Sequence, residues 1–198
     1  MNQEEKLREF SNALLDETIE TYKWSRGKTN IKGEIMEITA DKAEERCGRD
    51  SLWKSGSHKS GFDMNIMGEP NSLKAVKIKS KNKNTFKLSS YRLTTCKTID
   101  EINKEIQKRD ESFEKYLVCL TYETSNKHIV KWGSLIKSKI DFKNIEWIEK
   151  FGKKGMFSGY KSKDNKFFIH KSMSNQLWFE VNEDYLDIIC TYEYELKK

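Results

Sequence analysis

The sequence predicts an α/β (α+β) protein, a central mixed β-sheet flanked by helices, in a single domain over residues 1–198. Three observations carry this. Residues 3–22 and 31–46 space their apolar side chains with a helical period. Residues 62–66 and 73–79 alternate with the period of two of a half-buried strand. YLVCLTY at 116–122 is apolar throughout, as a central strand buried on both faces would be, and it follows a third helical stretch at 98–111. Helix, helix, strands, helix, strands is the order of a mixed sheet with helical cover. No internal repeat or linker interrupts it.

The first helix sets Leu7, Phe10, Leu14 and Thr18 on one stripe, with Leu15, Ile19 and Tyr22 beside it. The second places Ile31, Ile35, Ile38 and Ala43 near one face, ends before Gly48, and gathers Glu34, Glu37, Asp41, Glu44 and Glu45 on an acidic side. Residues 49–61 are polar and contain two glycines, so a loop is expected. In FDMNI, Phe62, Met64 and Ile66 face one way, Asp63 and Asn65 the other. A turn at 68–72 leads to a strand with Val76 and Ile78 on one face and Ala75, Lys77 and Lys79 on the opposite one. Thr98 is an N-cap for a helix whose core face is Ile99, Ile102 and Ile106. HIVKW (128–132) pairs with the central strand. Residues 143–151 suggest a short helix and 152–166 a Gly/Lys-rich loop. FFIH, QLWFEV and YLDIICTYEY supply the last strands.

Composition narrows the function. Lys and Arg total 37, Asp and Glu 31, a net charge of +6, and the excess is unevenly placed. Residues 70–99 hold eight cations and no acid; residues 150–176 hold seven cations and one acid. Such blocks repel themselves unless an anion faces them, and a phosphate backbone is the usual anion. No apolar run approaches the roughly 18 residues of a membrane span, and the charged N-terminus lacks a signal-like segment, so a cytoplasmic protein without membrane attachment is expected. The four scattered cysteines suit a reducing compartment, and no His/Cys spacing suggests zinc. Phosphate loops of the Walker or Rossmann type and a Ser-His-Asp signature are missing from the sequence.

The hairpin carries the chemistry. An aspartate at the start of one strand, lysines on the next and an acidic helix behind them suit metal-assisted phosphodiester cleavage. Carboxylates hold Mg²⁺, the metal activates water, and a lysine stabilises the developing charge. Asp63 followed by a short turn and AVKIKS (75–80) resembles the PD-(D/E)XK nuclease superfamily, in particular small type II restriction endonucleases. Asp63 matches the first acid, Lys79 the lysine, and Val76 and Ile78 the buried positions. GEIME (33–37) resembles the helix that supplies a further glutamate, here Glu37. The resemblance covers residues 31–122. It implies a restriction-endonuclease-like fold, Mg²⁺ on Asp63 and Glu37, a catalytic set of Asp63, Glu37, Lys77 and Lys79, double-stranded DNA as substrate, and a homodimer.

Lys77 departs from the pattern, because the family places an acid there and lysine cannot ligate Mg²⁺. The chain is then a catalytically inactivated variant, or Glu37 or Glu69 supplies the missing ligand, or the strand merely exposes lysines. A non-catalytic nucleic-acid-binding protein is the alternative function. For DNA contacts the sequence offers Lys81, Lys83, Asn84, Lys87, Ser89, Ser90 and Arg92 in the first basic block. Lys153, Lys154, Ser172, Ser174, Asn175 and Gln176 are the candidates in the second. Lysines and hydroxyls suit phosphates; Arg, Asn and Gln suit base edges.

Overall fold

The computed structural model describes residues 2–25, 31, 33–53, 62–78, 84–110, 112–173 and 175–196, the side chains of Asp110, Lys154 and Ser172 aside. Among these residues lie three α-helices and two five-stranded sheets, one mixed, so the chain is an α+β protein. The mixed sheet and its helical cover follow the sequence expectation; the second sheet does not.

Helix α1 (Gln3–Ser25) starts on a reciprocal cap. The Asn2 side chain accepts from the Glu5 amide at 2.9 Å, and the Glu5 carboxylate accepts from the Asn2 amide at 2.8 Å. Its buried stripe is Phe10, Ala13, Leu14, Glu17, Thr18 and Tyr22, while Leu7 stays 41% exposed. Helix α2 (Glu34–Arg46) begins after Gly33, three residues later than expected, and ends at Gly48, whose φ of 67° only glycine adopts without cost.

Strands β1 (Met64–Ile66) and β2 (Glu69–Ile78) form a hairpin closed by Met67 and Gly68 alone, with φ of 54° and 87°. Positive φ at both central residues is what a tight two-residue hairpin needs. Residues 69–72, expected in the turn, belong to β2. Pro70 is tolerated there because pairing with the next strand begins only at Asn71. Asn65, opposite Pro70, sends its own N–H to the Ser51 carbonyl at 2.7 Å.

Strand β3 (Thr85–Arg92) and helix α3 (Ile99–Asp110) lie between β2 and β4 (Lys115–Glu123), which are parallel neighbours. Thr98 caps α3, its hydroxyl accepting from the Glu101 amide at 3.2 Å. Strand β5 (Lys127–Ile136) pairs with β4, and the last strand β10 (Asp187–Glu195) pairs with β5. The mixed sheet therefore runs β1-β2-β4-β5-β10, with β4 central as expected.

The remaining strands are β6 (Trp147–Phe151), β7 (Phe157–Ser162), β8 (Phe167–His170) and β9 (Gln176–Asn182). The second sheet runs β3-β9-β8-β7-β6 and is antiparallel throughout. Two sequence expectations are corrected here. Residues 143–151 hold a strand instead of a short helix, and 152–166 hold β7 inside the expected loop. Trp147 faces the core and donates its Nε1 proton to Asn103 on α3 at 2.9 Å, which favours the extended form locally.

One apolar cluster fills the space between the mixed sheet and α1 and α2; it contains Phe10, Leu14, Met36, Met64, Leu117, Cys119 and Trp132. A second joins the two sheets and α3 through Leu88, Ile102, Ile106, Tyr116, Phe142, Phe167 and Phe179. Phe62 packs on this second cluster, away from Met64 and Ile66, because it precedes the regular strand. All four cysteines are free. No helix among the described residues is long and apolar enough to cross a membrane.

Thr18 shows how a buried polar residue is satisfied. Its hydroxyl donates to the Leu14 carbonyl at 2.7 Å and accepts from Trp132 Nε1 at 3.0 Å, with Trp132 fully buried. Thr18→Val keeps the shape and strands the indole N–H, at an expected cost of about 1–3 kcal/mol in urea unfolding. In the Trp132→Phe background the same change should cost under about 1 kcal/mol. Equal costs in both backgrounds would show that this hydrogen bond contributes nothing.

Candidate nucleic-acid interface and the Asp63 cluster

The hairpin register decides what surrounds Asp63. With Met64 opposite Asn71, Asp63 lies beside the start of β2. Its carboxylate accepts from Ser72 Oγ at 2.9 Å and from the Leu73 amide at 2.6 Å, and Lys74 Nζ stands 3.6 Å away. Lys74 also donates to Ser72 Oγ at 2.7 Å. Burial pulls the Lys74 ammonium below its ordinary pKa, and the nearby Asp63 and Glu37 carboxylates pull it upward. Asp63 and Lys74 are therefore neighbours.

Lys77 is not part of this group. It sits five residues beyond Ser72, roughly 16 Å along a strand at about 3.3 Å per residue, and forms an ion pair with Glu123. The expectation that Asp63 shares a local face with Lys77 and Lys79 thus fails for Lys77, because the turn is only two residues long. Lys79 lies outside the described residues, as do Lys81, Lys83 and Ser174. Glu69, the other candidate for a displaced acid, is paired with Lys115.

The acidic side of α2 has a structural employment. Glu37 accepts from Trp53 Nε1 at 3.0 Å, Asp41 from Ser51 Oγ, and Glu44 from Arg49 Nε at 2.6 Å. These bonds fasten residues 49–53 to the helix. Mg²⁺ prefers an octahedron of hard oxygens and is usually held through one or two carboxylates, the rest of its shell being water and substrate phosphate. Here Asp63 is held by Ser72, Leu73 and Lys74, and Glu37 by Trp53. Ser72 occupies the place two residues before Lys74. Among the described residues no three His, Cys, Asp or Glu side chains group to hold a metal.

The second sheet assembles a different surface. Alternate residues of its strands, among them Leu88, Phe167, Ile169, Leu177 and Phe179, enter the core. Their neighbours take the outer face, since successive side chains alternate. Strand pairing aligns Ser89, Trp178, Phe168, Lys161 and Ile148 in one row across the five strands. A second row runs Arg92, Gln176, His170, Gly159 and Lys150. Lys87 lies opposite Glu180 at one end, and its Nζ stands 3.8 Å from the centre of the Phe168 ring. Phe168 and His170 present nearly parallel rings, 7° apart in plane with centroids 6.4 Å apart. Burial, then the charges of Lys150 and Lys87, hold the His170 pKa below its ordinary value, so at neutral pH the ring is an uncharged aromatic surface. Among the described residues no carboxylate forms an ion pair with Lys87, Arg92, Lys150, Lys161 or Lys171.

The two basic blocks of the sequence meet on this face, because β3 from the first pairs with β9 at the end of the second. Arg92 lies opposite Gln176, and the Leu93 amide donates to the Asn175 carbonyl at 3.1 Å. Lys87, Ser89, Arg92 and Gln176 are brought together as one surface. Ser90 is not on it. Alternation already turns Ser90 inward with Phe86 and Leu88, where its hydroxyl lies 3.1 Å from the hydroxyl of buried Tyr116, and a register shift between Ser89 and Arg92 returns Arg92 to the outer face. Asn84 is exposed at the start of β3, and its carbonyl accepts from the Glu183 amide at 2.7 Å. Lys153 is exposed in the β6–β7 connection, and the side chains of Lys154 and Ser172 lie outside the described residues.

Sequence reasoning missed Lys74, Lys150, Phe168, His170 and Trp178. Phe168 with His170 and Gln176 with Trp178 fall on alternating positions, so the signal was present. Which alternate faced outward depended on a second sheet that local pattern does not reveal. Fold and surface define an α+β protein with a basic, aromatic sheet face. Compared with protein-family models, curated proteins and solved structures, the chain matches none.

Proposed function

We propose that this protein binds nucleic acid without cleaving it by a metal-dependent mechanism. The observation that carries the reading is the convergence of two basic segments, far apart in sequence, on one face of the antiparallel sheet. Phosphate groups are the anions that a surface with Lys87, Arg92, Lys150 and Lys161 and interspersed hydrogen-bonding side chains best complements. Elements resembling the nuclease superfamily support an evolutionary or architectural kinship: α2, a hairpin with Asp63, and a helical crossover to a parallel strand. Where that chemistry would need a second acid beside Asp63, the chain has Ser72, two residues before Lys74.

Binding of a fluorescent oligonucleotide, presented as duplex and as single strand, tests this reading by anisotropy. Engagement of these cations predicts a log–log salt slope of about −3 to −4, or roughly a hundredfold weaker binding between 50 and 200 mM salt. Plasmid DNA with Mg²⁺ should remain uncut, and Lys77→Glu should gain no cleavage, since that position is remote from Asp63. Absence of binding at 50 mM salt would overturn the binding reading. Site-specific, Mg²⁺-dependent cutting would restore the endonuclease one.

A further inference from the structure

We infer that the outer face of the antiparallel sheet is a platform for single-stranded nucleic acid, on which an unpaired base stacks against Phe168 and His170 while flanking phosphates meet Lys87, Lys150 and Lys161. This inference rests on the nucleic-acid reading and specifies its ligand. Duplex DNA offers a sheet only groove edges and phosphates, whereas unpaired bases present π-faces that stack on aromatic side chains. The cross-strand rows place the rings in the middle of the sheet and cations around them: Lys161 follows Phe168 in one row, and Lys150 follows His170 and Gly159 in the other. Gly159 has no side chain to stand between His170 and Lys150. Lys87 now rests on the Phe168 ring at 3.8 Å. A cation held only by a ring face can transfer to a phosphate as a base takes its place, since the charge–phosphate contact is the stronger of the two. A surface built only to attract anions would gain nothing from aromatic rings at its centre.

The test measures affinity of the full chain for a 15-nucleotide single strand, for the corresponding duplex and for poly-glutamate, in the wild type and in Phe168→Leu and Lys161→Gln. Phe168→Leu keeps an apolar side chain of similar bulk and leaves every charge in place. It should weaken single-strand binding by about 5- to 100-fold, the range for stacking one base on one ring, with the salt slope unchanged. Lys161→Gln should instead lower the slope by about 0.7. Wild type should prefer the single strand to the duplex by at least about tenfold. Circular dichroism melting confirms that each variant is folded, and His170→Leu replaces Phe168→Leu if the latter is not. Equal single-strand affinity of a folded ring variant and wild type overturns the stacking platform, as does preference for duplex, and in both cases salt-dependent nucleic-acid binding still stands. Competition by poly-glutamate as strong as by the oligonucleotide, or no oligonucleotide binding at all, overturns both readings together.

Discussion

Glu44→Ala should destabilise the protein by about 3–5 kcal/mol, the cost of breaking a buried charge pair by removing one partner. Glu44 is 1% exposed and lies on the last full turn of α2. Its carboxylate accepts from Arg49 Nε at 2.6 Å and from the Met67 amide at 3.0 Å, so one side chain ties the helix to the following segment and to the hairpin turn. Arg49 also donates to Glu9 on α1 at 2.8 Å, while its buried Nη2 has no partner among the described residues. Alanine would leave the guanidinium without its most buried counter-charge and Met67, already at positive φ, with an orphaned N–H. Urea unfolding reads the effect as a lowered midpoint at constant slope. The neighbouring exposed Glu45 provides the comparison, since Glu45→Ala should change stability by no more than about 0.5 kcal/mol. A loss below about 1 kcal/mol for Glu44→Ala would show that Arg49 finds another anion.

Gly159→Ala should be comparably damaging for a different reason. Gly159 has φ of 135°, and a Cβ built there would lie 1.9 Å from the carbonyl oxygen of Ile169 on the neighbouring strand. That neighbour is backbone, so relief requires β7 and β8 to separate and surrender ladder hydrogen bonds. Backbone strain of about 1–3 kcal/mol and lost bonds of about 1 kcal/mol each make a total of at least about 2 kcal/mol. Thermal unfolding measures it, and limited proteolysis should place the first cleavages in β6–β8. Gly133→Ala is the milder counterpart. Its new Cβ would meet the Leu186 Cβ at 3.1 Å, which a displacement of a few tenths of an ångström relieves, far less than the Gly159 overlap demands. An unchanged melting temperature for Gly159→Ala would contradict the close approach of the two strands.

Much of the architecture is legible locally because it is encoded locally. The α1 stripe, the Thr98 cap and the Gly48 stop each need only a few consecutive residues, and all three were readable. Met67 hid the hairpin turn: a methionine at φ 54° defies turn statistics, and starting β2 at Glu69 instead of Leu73 moved Asp63 from Lys77 to Ser72 and Lys74. Glu37 was legible as a candidate but its partner was not, since Trp53 lies 16 residues away across a loop. The outer sheet face was least legible. Its rows combine β3 with β6–β9, and no sequence period links Lys87 to Phe168.

The entry of β3 into the second sheet also bears on how the chain reaches this structure. Its partner β9 begins 84 residues after Arg92, so a nascent β3 has hydrogen-bonding edges and no mate until β9 has been made. Pairings of such sequence separation form late and slowly, and an unmatched strand is open to pairing with another copy of itself. The acid-free run of lysines around β3 makes two such copies repel. A basic run of this kind opposes aggregation at an unfinished edge while its proper partner is still being synthesised.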